Sequence, residues 1–447
     1  MAYAPHTLDD RDAMLAAIGV GSVDELFADI PDSVRARAFD IPPPLTEQEV
    51  RRELTRLAGR NRIPEVSFLG AGAYRHLVPA AVMEVIGRSE FATAYTPYQP
   101  EVSQGTLQSI YEFQTLVCEL TGMEVASASH YDGATATAEA ALMACRLTRR
   151  DTVAISSAVN PQVRRVLDTY CSGPGIRVIE VEADIAEGGS GLTPIDAAES
   201  SLDEHVACLV VQHPNFFGGI EPMAELAATA HRHGAQFVAV VEPTSLAILE
   251  APGAYGADIV AAEGQPLGIP LSFGGPYVGL MAARMDSVRQ MPGRLVGATR
   301  DAAGRRGYVL TLQAREQHIR REKAASNICT NQALCALAAT AYLSAVGPEG
   351  LREVAELSMV QTRHAISTLE AAGVGERRFS ASYFAEAAVR IPDAKRRHAA
   401  LAEQGVLAGF PLEDAYPALR DCLLVAATEL TTDDDVARLV EALEATP

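Results

Sequence analysis

The sequence is short of lysine. Among its 447 residues only Lys323 and Lys395 are lysines, so arginine supplies nearly all of the positive charge. The 37 basic residues are outnumbered by 57 acidic ones, which gives a formal charge of −20. Nucleic acids and anionic lipids are bound through basic surfaces. The charge balance therefore argues against a protein that binds nucleic acid or anionic lipid.

Long apolar runs are also missing. A helix that spans a bilayer needs about 20 apolar residues, and the most apolar segment, residues 333–346, is shorter and contains Thr340 and Ser344. The opening residues, MAYAPHTLDD, lack the basic and apolar regions of a secretory signal. We therefore expect a cytoplasmic protein with no membrane partner.

Paired cysteine and histidine ligands are absent as well. The seven cysteines are scattered and form no CxxC pair, which favours free thiols in a reducing compartment over disulfides or zinc. His231 and His233 are two residues apart in a predicted helix and face different sides, and no HExxH spacing occurs. No GxGxxG motif opens a helix. Neither a metal site nor an NAD site is expected.

Three regions differ in their pattern. Residues 1–60 predict a helical arm, because three capping-box motifs precede apolar-periodic stretches. These motifs are Thr7-x-x-Asp10, Ser22-x-x-Glu25 and Thr46-x-x-Glu49.

Residues 61–330 predict a large α/β domain. Apolar strands alternate with helical segments, which is typical of a parallel sheet covered on both faces. The predicted strands are 152–156, 178–181, 207–212, 237–242, 259–262 and 277–281, and the predicted helices are 136–146, 161–170, 194–204 and 222–233. Ligands of such sheets bind beyond the carboxyl ends of the strands.

Residues 331–447 predict a smaller α+β domain. An irregular, arginine-rich stretch after residue 293 leads to a helix at 331–346. Strands at 384–391 and 422–427 and a capped helix at 432–443 follow. A large α/β domain with a small C-terminal α+β domain suggests the pyridoxal-phosphate enzymes of the aspartate-aminotransferase fold type, fold type I, although many folds share this pattern.

Four segments make the resemblance specific. They are FLGAGAYRHLVP at 68–79, TAYTPYQPEVSQG at 93–105, EGQPLGIPLSFGGP at 263–276 and REQHIRREKAASNICTNQ at 315–332. Together they closely resemble the glycine decarboxylase (P protein) family of the glycine cleavage system. The length matches subunit 1 of the split form, in which two homologous chains replace one long chain.

The resemblance implies a glycine dehydrogenase of the decarboxylating, aminomethyl-transferring kind, which is an oxidoreductase. Such an enzyme decarboxylates glycine with pyridoxal phosphate and passes the aminomethyl group to the lipoyl arm of the H protein. It also implies a mostly parallel, seven-stranded sheet in the large domain. The implied partners are a lysine-bearing second subunit, in an α2β2 heterotetramer, and the lipoylated H protein.

The lysine that this chemistry requires is absent from its place. By the resemblance, Gln265 stands where the catalytic subunit has the lysine, and an amide cannot form a Schiff base. Lys323 lies in a charged run and Lys395 in a predicted surface helix, so neither is placed to replace it. We therefore expect no catalytic residue in this chain and a pyridoxal phosphate held by the partner subunit.

Other residues mark a remnant of the cofactor site. The turn before helix 136–146 would face a phosphate, His130 would stack on the ring, and Glu242 would stand in for the acid that pairs with the pyridine nitrogen. The full set is His130, Gly133, Ala134, Thr135, Asn215 and Glu242. Simpler interpretations compete with this one: an ordinary N-cap by Asp132 or Thr135, a strand exit at Asn215, and an acid that caps the next turn at Glu242.

A proline-rich loop could line a pocket. Its rings, hydroxyls and amides suit a small zwitterion. The resemblance to enzymes of this fold, in which such an N-terminal loop often reaches the neighbouring subunit's active site, implies that it does so here. The predicted lining residues are Tyr95, Thr96, Tyr98, Gln99, Glu101, Ser103 and Gln104. An interface loop without substrate contact is an equal alternative.

The basic run at 315–323 leaves two interpretations open. It is either a solvated helical face with Glu/Arg pairs or a surface that attracts a carboxylate, a phosphate or an acidic carrier protein.

Three functional hypotheses follow. The preferred one is a non-catalytic subunit that completes the active site of a lysine-bearing homologue. A self-sufficient enzyme, such as an aminotransferase or a cysteine desulfurase, would need a lysine at position 265. A scaffold that only recruits the H protein predicts that the catalytic subunit alone decarboxylates glycine with a free lipoyl analogue.

Overall fold

A computed structural model describes residues 6–36, 40–92 and 96–446. Contacts divide the chain into two units, Met1–Arg62 and Ile63–Pro447. In the first unit, helices α1 (Leu8–Ile18) and α2 (Glu47–Ala58) begin at reciprocal capping boxes, as predicted. The third predicted box is incomplete, because the Ser22 hydroxyl accepts from the Glu25 amide but only a short 3-10 helix follows.

The second unit contains the remaining helices and all strands of the described residues. The helices are α3 (Ala80–Ile86), α4 (Ser89–Ala92), α5 (Gln104–Thr121), α6 (Gly133–Thr148), α7 (Pro161–Ser172), α8 (Ile195–Ser200), α9 (Met223–Arg232), α10 (Gln317–Arg320), α11 (Ala333–Ala372), α12 (Ala394–Glu403) and α13 (Asp433–Ala445). The strands are β1 (Val66–Ser67), β2 (Val125–Ala126), β3 (Thr152–Ser156), β4 (Arg177–Val181), β5 (Val206–His213), β6 (Gln236–Val241), β7 (Ile259–Glu263), β8 (Gly279–Ala283), β9 (Leu295–Arg300), β10 (Arg306–Thr311), β11 (Glu376–Arg377), β12 (Glu386–Arg390), β13 (Val406–Leu407), β14 (Phe410–Pro411) and β15 (Cys422–Ala426).

A seven-stranded sheet forms the centre of this unit, in the order β2-β8-β7-β6-β5-β3-β4. Strands β4, β3, β5, β6 and β7 are parallel, and β8 runs antiparallel to β7. All five residues of β3 are buried, as both faces of the sheet are covered. The predicted mostly parallel sheet is confirmed.

Helices cover the sheet on two sides. One core cluster joins the sheet to α5, α9 and the first half of α11, and a second joins it to α6 and α7. Because α6 follows β2 and begins beside β7, its N-terminus lies at the edge where the parallel strands end. That edge is where a ligand of this fold is expected.

The sequence predicted that the arginine-rich stretch after residue 293 is irregular. The structure instead begins this stretch with two strands. Strands β9 and β10 form an antiparallel hairpin with six residue pairs. Tyr308 and Leu310 are buried and pack with Leu107 and Ile110 of α5. The alternation is hard to read in the sequence because arginines and glycines interrupt it.

The C-terminal region has its own antiparallel sheet, β11-β12-β15-β14, with helices α12 and α13. Its core cluster also includes Val66 and Phe68, from a part of the sequence far upstream. The boundary near residue 330 stays a prediction.

Helix α11 is long and apolar enough to cross a membrane by length and composition. Gly347 interrupts it with non-helical backbone, and Pro348 follows. The first half therefore ends where the sequence predicted, at residue 346. Its buried residues, such as Ala339 and Tyr342, belong to the core of the large sheet.

Candidate active site

Gln265 is buried at the carboxyl edge of the sheet, with 1% of its surface exposed. Its Oε1 accepts from the Tyr74 amide at 2.8 Å, and its Nε2 donates to the carbonyls of Tyr74 (2.9 Å) and Ile269 (2.8 Å). A glutamine amide has two N–H donors and one carbonyl acceptor, and all are used. Gln265 therefore fastens the segment around Tyr74 to the loop after β7.

A carboxylate of the chain itself lies at the N-terminus of α6. Glu263 Oε2 accepts from the Gly133 amide at 2.9 Å, and its Oε1 accepts from the Gln265 amide at 2.9 Å. A Cβ on Gly133 would lie 2.7 Å from the Glu263 nitrogen, so the two backbones are in close contact. Helix N-termini favour anions. Here Glu263 takes the place that a phosphate would need, and burial raises its pKa to about 7.

The rest of this turn is an N-cap. Asp132 Oδ1 accepts from the Thr135 amide at 2.8 Å, and the Thr135 hydroxyl accepts from the Asp132 amide at 3.2 Å. Ala134 lies between them. This reciprocal capping box corresponds to the simpler interpretation of the turn, in which Asp132 and Thr135 stabilise the helix without a ligand.

His130 is 0% exposed. Its backbone pairs with Gly279, and its Nδ1 lies 3.1 Å from the Ser127 hydroxyl. Burial and the nearby Arg315 charge lower its pKa to about 4, which leaves the ring neutral at physiological pH. Both faces of the ring are covered by protein, so it is not open to stack on a cofactor.

Glu242 follows β6 and caps the turn after it. Its carboxylate accepts from the Thr244 amide (3.1 Å), the Thr244 hydroxyl (2.7 Å) and the Ser245 amide (2.7 Å). Burial raises its pKa. Its oxygens are engaged with the turn, as in the cap interpretation, rather than held free for a ring nitrogen.

A second buried carboxylate, Glu386 from β12, lines the same site. It accepts from the Tyr74 hydroxyl at 2.6 Å and from the Ala71 amide at 3.0 Å, and burial raises its pKa to about 7. The cavity among Tyr74, Glu242 and Glu386 has a volume of about 30 Å³. That is room for about two water molecules and far too little for a pyridine ring with a phosphate.

Asn215 lies apart from these residues. Its Nδ2 donates to Glu221 (2.7 Å) and to the Gly191 carbonyl (2.8 Å), and its Oδ1 accepts from the Phe217 and Gly219 amides. It is 1% exposed. The structure thus uses Asn215 to order the loop after β5.

The residues of this edge do not fit a pyridoxal phosphate. The amide at position 265 is saturated, the helix terminus holds a carboxylate, and the ring position is filled. Neither lysine lies here: Lys323 is exposed in a short 3-10 helix, Arg321–Lys323, and Lys395 in α12 pairs with Asp414 at 2.5 Å.

The proline-rich loop has a different character. Tyr95 lies outside the described residues. Tyr98, Gln99 and Glu101 are exposed, whereas Thr96 and Ser103 are half-buried. Gln104 instead binds the hairpin: its Oε1 accepts from the Tyr308 amide and its Nε2 donates to the Tyr308 carbonyl, both at 2.9 Å.

Arg294 joins this loop to the basic run. It is 4% exposed, its guanidinium lies 5.7 Å from the centre of the Tyr98 ring, and its Nη2 is 3.4 Å from the Tyr98 hydroxyl. Its Nε lies 3.9 Å from Glu316, and Nη2 also donates to the Cys329 carbonyl. The Tyr98 and His318 rings meet edge-on at 5.3 Å. Two segments some 200 residues apart in sequence thus form one surface.

Sequence reasoning gave no role to three of these residues, Glu263, Glu386 and Arg294. Glu263 carried a usable signal, because it ends an apolar strand at the ligand edge of the sheet. Glu386 and Arg294 carried none, because their importance depends on contacts with residues far away in the sequence.

Comparisons with known proteins identify the family. A family model described as the glycine cleavage system P-protein matches residues 1–443. The chain belongs to this family. P-protein relatives match it along its whole length: a probable glycine dehydrogenase (decarboxylating) subunit 1 of Moorella thermoacetica is 52% identical over 447 residues, covering 99% of each chain. The similarly named protein of Thermomicrobium roseum is 51% identical, also covering 99% of each chain.

Solved structures agree. A crystal structure of glycine decarboxylase (P-protein) of the glycine cleavage system, in inhibitor-bound form, superimposes with a TM-score of 0.92 at 44% identity, covering 100% of both chains. A NifS-like protein, at 14% identity and a TM-score of 0.62 over 85% of this chain and 98% of its own, shares the fold. The predicted P-protein family and fold type I are both confirmed.

Proposed function

We propose that this chain is the non-catalytic subunit of a two-subunit glycine decarboxylase. It decarboxylates glycine only together with a lysine-bearing homologue, and the aminomethyl group passes to the lipoyl arm of the H protein. The relatives' names, glycine dehydrogenase (decarboxylating) subunit 1, support a heteromeric enzyme.

One observation supports the proposal that the cofactor is bound by the partner subunit and not by this chain. At the ligand edge of the sheet, Gln265 and Glu263 bond to groups of the chain itself, and Glu263 takes the helix terminus that a phosphate would need. Pyridoxal phosphate supplies the electron sink for decarboxylation when bound. We place it in the partner subunit, because the site in this chain is filled by its own side chains.

The contribution of this chain is the exposed loop that contains Tyr98. Tyr98 is 46% exposed, and its ring contacts the Arg294 guanidinium and the His318 ring. A side chain fixed before binding loses little conformational entropy when it meets its target. We propose that Tyr98 and Gln99, with the neighbouring Tyr95 and Glu101, line the partner subunit's pocket and orient glycine there.

Reconstitution with the second subunit tests the proposal. Glycine-dependent CO₂ exchange in the presence of H protein should require both chains, and each chain alone should be inactive. Activity of this chain alone would contradict the proposal and favour the hypothesis of a self-sufficient enzyme. Full activity of the second subunit alone with a free lipoyl analogue would favour the scaffold.

The loop is tested separately with Tyr98→Ala. Losing a hydroxyl contact and a ring wall is expected to lower kcat/KM for glycine about 10- to 100-fold, or about 1.4–2.8 kcal/mol. Gln108→Ala is the matched control and should stay at wild-type activity, because Gln108 is exposed in α5 and, within the described ranges, its side chain bonds only Glu112. Unchanged kinetics for Tyr98→Ala in an intact complex would show that the loop does not contact the substrate and serves only as part of the subunit interface.

A further inference from the structure

Positive charge is concentrated in one stretch of this acidic chain. Residues 284–323 contain ten arginines and lysines and four acids, a net charge of +6, whereas the rest of the chain carries −26. Eight of the ten cations are exposed, because only Arg294 is buried and Arg315 half-buried. Such segregation creates a local positive potential that a uniform mixture would not.

Three exposed cations, with the exposed Glu322 among them in the sequence, lie at the C-terminal end of this stretch. We name Arg320, Arg321 and Lys323 the cationic ledge. All three are exposed, and within residues 96–446 none of them forms an ion pair at 4 Å or less. Among the described residues, Arg305 at the hairpin tip pairs with Asp301 at 2.8 Å, whereas the neighbouring Arg300 and Arg306 form no such pair.

The backbone under the ledge is held in place. The Arg315 guanidinium donates to the Met291 carbonyl, and the Ala325 amide donates to the Arg315 carbonyl at 3.1 Å. Arg321 has a φ of 55°, which is costly for a residue with a Cβ. Strained backbone persists where the surroundings enforce it, and such positions cluster at functional sites. The ledge is therefore a fixed display of charge rather than a loose tail.

The ledge adjoins the loop proposed to serve the partner's pocket. His318 contacts the Tyr98 ring, and Ile319 beside it is 52% exposed. An anionic domain seated on the ledge would thus lie next to Tyr98. The exposed cations and the aliphatic side chain of Ile319 offer both charge and apolar contact to a protein partner.

We infer that the cationic ledge is the docking surface for an acidic face of the lipoyl-bearing carrier protein. This inference rests on the proposed function. A compact acidic domain matches a local positive patch, whereas an extended polyanion would run onto the remaining surface, which carries −26. Rim charges of this kind act mainly on the association rate and on its salt dependence.

The test uses the reconstituted two-subunit complex and purified lipoylated H protein. With Arg320→Glu/Arg321→Glu, we expect the apparent KM for H protein at about 50 mM salt to rise at least tenfold. The wild-type affinity should weaken steeply as salt increases, because exposed charges are screened, and the affinity of the variant should be nearly salt-independent.

Arg352→Glu/Arg363→Glu is the matched control. It reverses two exposed arginines on α11 and should leave the KM for H protein unchanged. Wild-type H-protein affinity in the ledge variant would overturn the inference. Loss of subunit association by gel filtration in that variant alone would also overturn it, because the ledge would then belong to the subunit interface. Failure of the proposed function differs from both outcomes, since the wild-type complex itself would then be inactive.

Discussion

Two neighbouring regions of this molecule treat their polar groups in opposite ways. At the carboxyl edge of the sheet, Gln265 and Glu263 turn every available atom inward, onto backbone groups of the same chain. At the loop and the cationic ledge, Tyr98 and Arg321 are exposed on fixed backbone. The contrast shows that one fold can satisfy its polar groups internally at one edge of a sheet and present them to solvent on a neighbouring surface.

The buried carboxylates Glu263 and Glu386 show how polar groups are accommodated at the carboxyl edge of the sheet. A buried charge is costly unless it is paired or neutralised. Glu263 and Glu386 each accept two or more hydrogen bonds, and burial raises the pKa of each to about 7. Both carboxyls therefore titrate near neutral pH, because burial disfavours their charged form.

A lysine at position 265 is expected to have the largest effect of the substitutions considered. In Gln265→Lys, the amide bonds to Tyr74 and Ile269 are lost, and an ammonium is buried where the neighbouring carboxylate, Glu263, is already engaged by the Gly133 and Gln265 amides. We expect a loss of about 3–5 kcal/mol in the free energy of unfolding, measured by urea denaturation, and no absorbance from bound pyridoxal phosphate. A stable variant that turns yellow with the cofactor would show that the site is open after all.

Glu263→Gln tests how the buried carboxyl at the edge of the sheet affects the pH dependence of stability. The folded-state pKa of about 7 lies above the unfolded value near 4.5. The carboxyl's contribution is therefore complete below about pH 4.5 and is lost as the pH rises through 7. A glutamine cannot titrate, so the stability of the variant relative to wild type should improve by about 3 kcal/mol between pH 4.5 and 7.5. A difference that does not depend on pH would mean that Glu263 is ionised normally.

Gly133→Ala probes the close contact between α6 and β7. The added Cβ would meet the Glu263 backbone at 2.7–2.8 Å, closer than Cβ atoms pack. Overpacking of this kind costs about 1–3 kcal/mol, measured as a lower denaturation midpoint. Gly105→Ala in α5 is the control, because its Cβ would meet nothing within 4 Å, and it should be neutral or slightly stabilising. Equal effects of the two substitutions would contradict the packing described.

Arg294→Gln tests whether Arg294 acts by holding the Tyr98 ring in place. It removes the guanidinium that holds Tyr98 but leaves Tyr98 itself in place. We expect kcat/KM for glycine in the reconstituted complex to fall about tenfold, or about 1.4 kcal/mol. In Tyr98→Ala, adding Arg294→Gln should cost little more, because two residues acting through one contact are not additive. Additive losses would mean that Arg294 acts independently of Tyr98.

Much of the fold could be predicted because its signals are local. Strand β3 lies at the predicted residues 152–156, and α6, α7 and the C-terminal helix appear where apolar runs and caps placed them. The hairpin β9–β10 was missed because Gly297 and Gly307 interrupt the alternation of its strands. Predicted helix 194–204 is shorter, Ile195–Ser200, and ends before the polar Ser201-Leu-Asp-Glu204 stretch.

The candidate site was predictable only in part. The missing lysine can be read directly from the sequence, but what fills its place cannot. Glu263 reaches Gly133 across 130 positions, and Glu386 reaches Tyr74 across 312. Contacts of that range depend on how the two sheets and α6 pack together, which no local pattern encodes. The same holds for Arg294 and Tyr98.

The central claim is that the cofactor of the assembled enzyme is bound by the other subunit. Borohydride reduction of the reconstituted, cofactor-loaded complex fixes pyridoxal phosphate to whichever lysine holds it. Peptide mass spectrometry should then find the modified lysine in the partner subunit and leave Lys323 and Lys395 unmodified. A stoichiometric pyridoxyl group on either lysine of this chain would contradict the account.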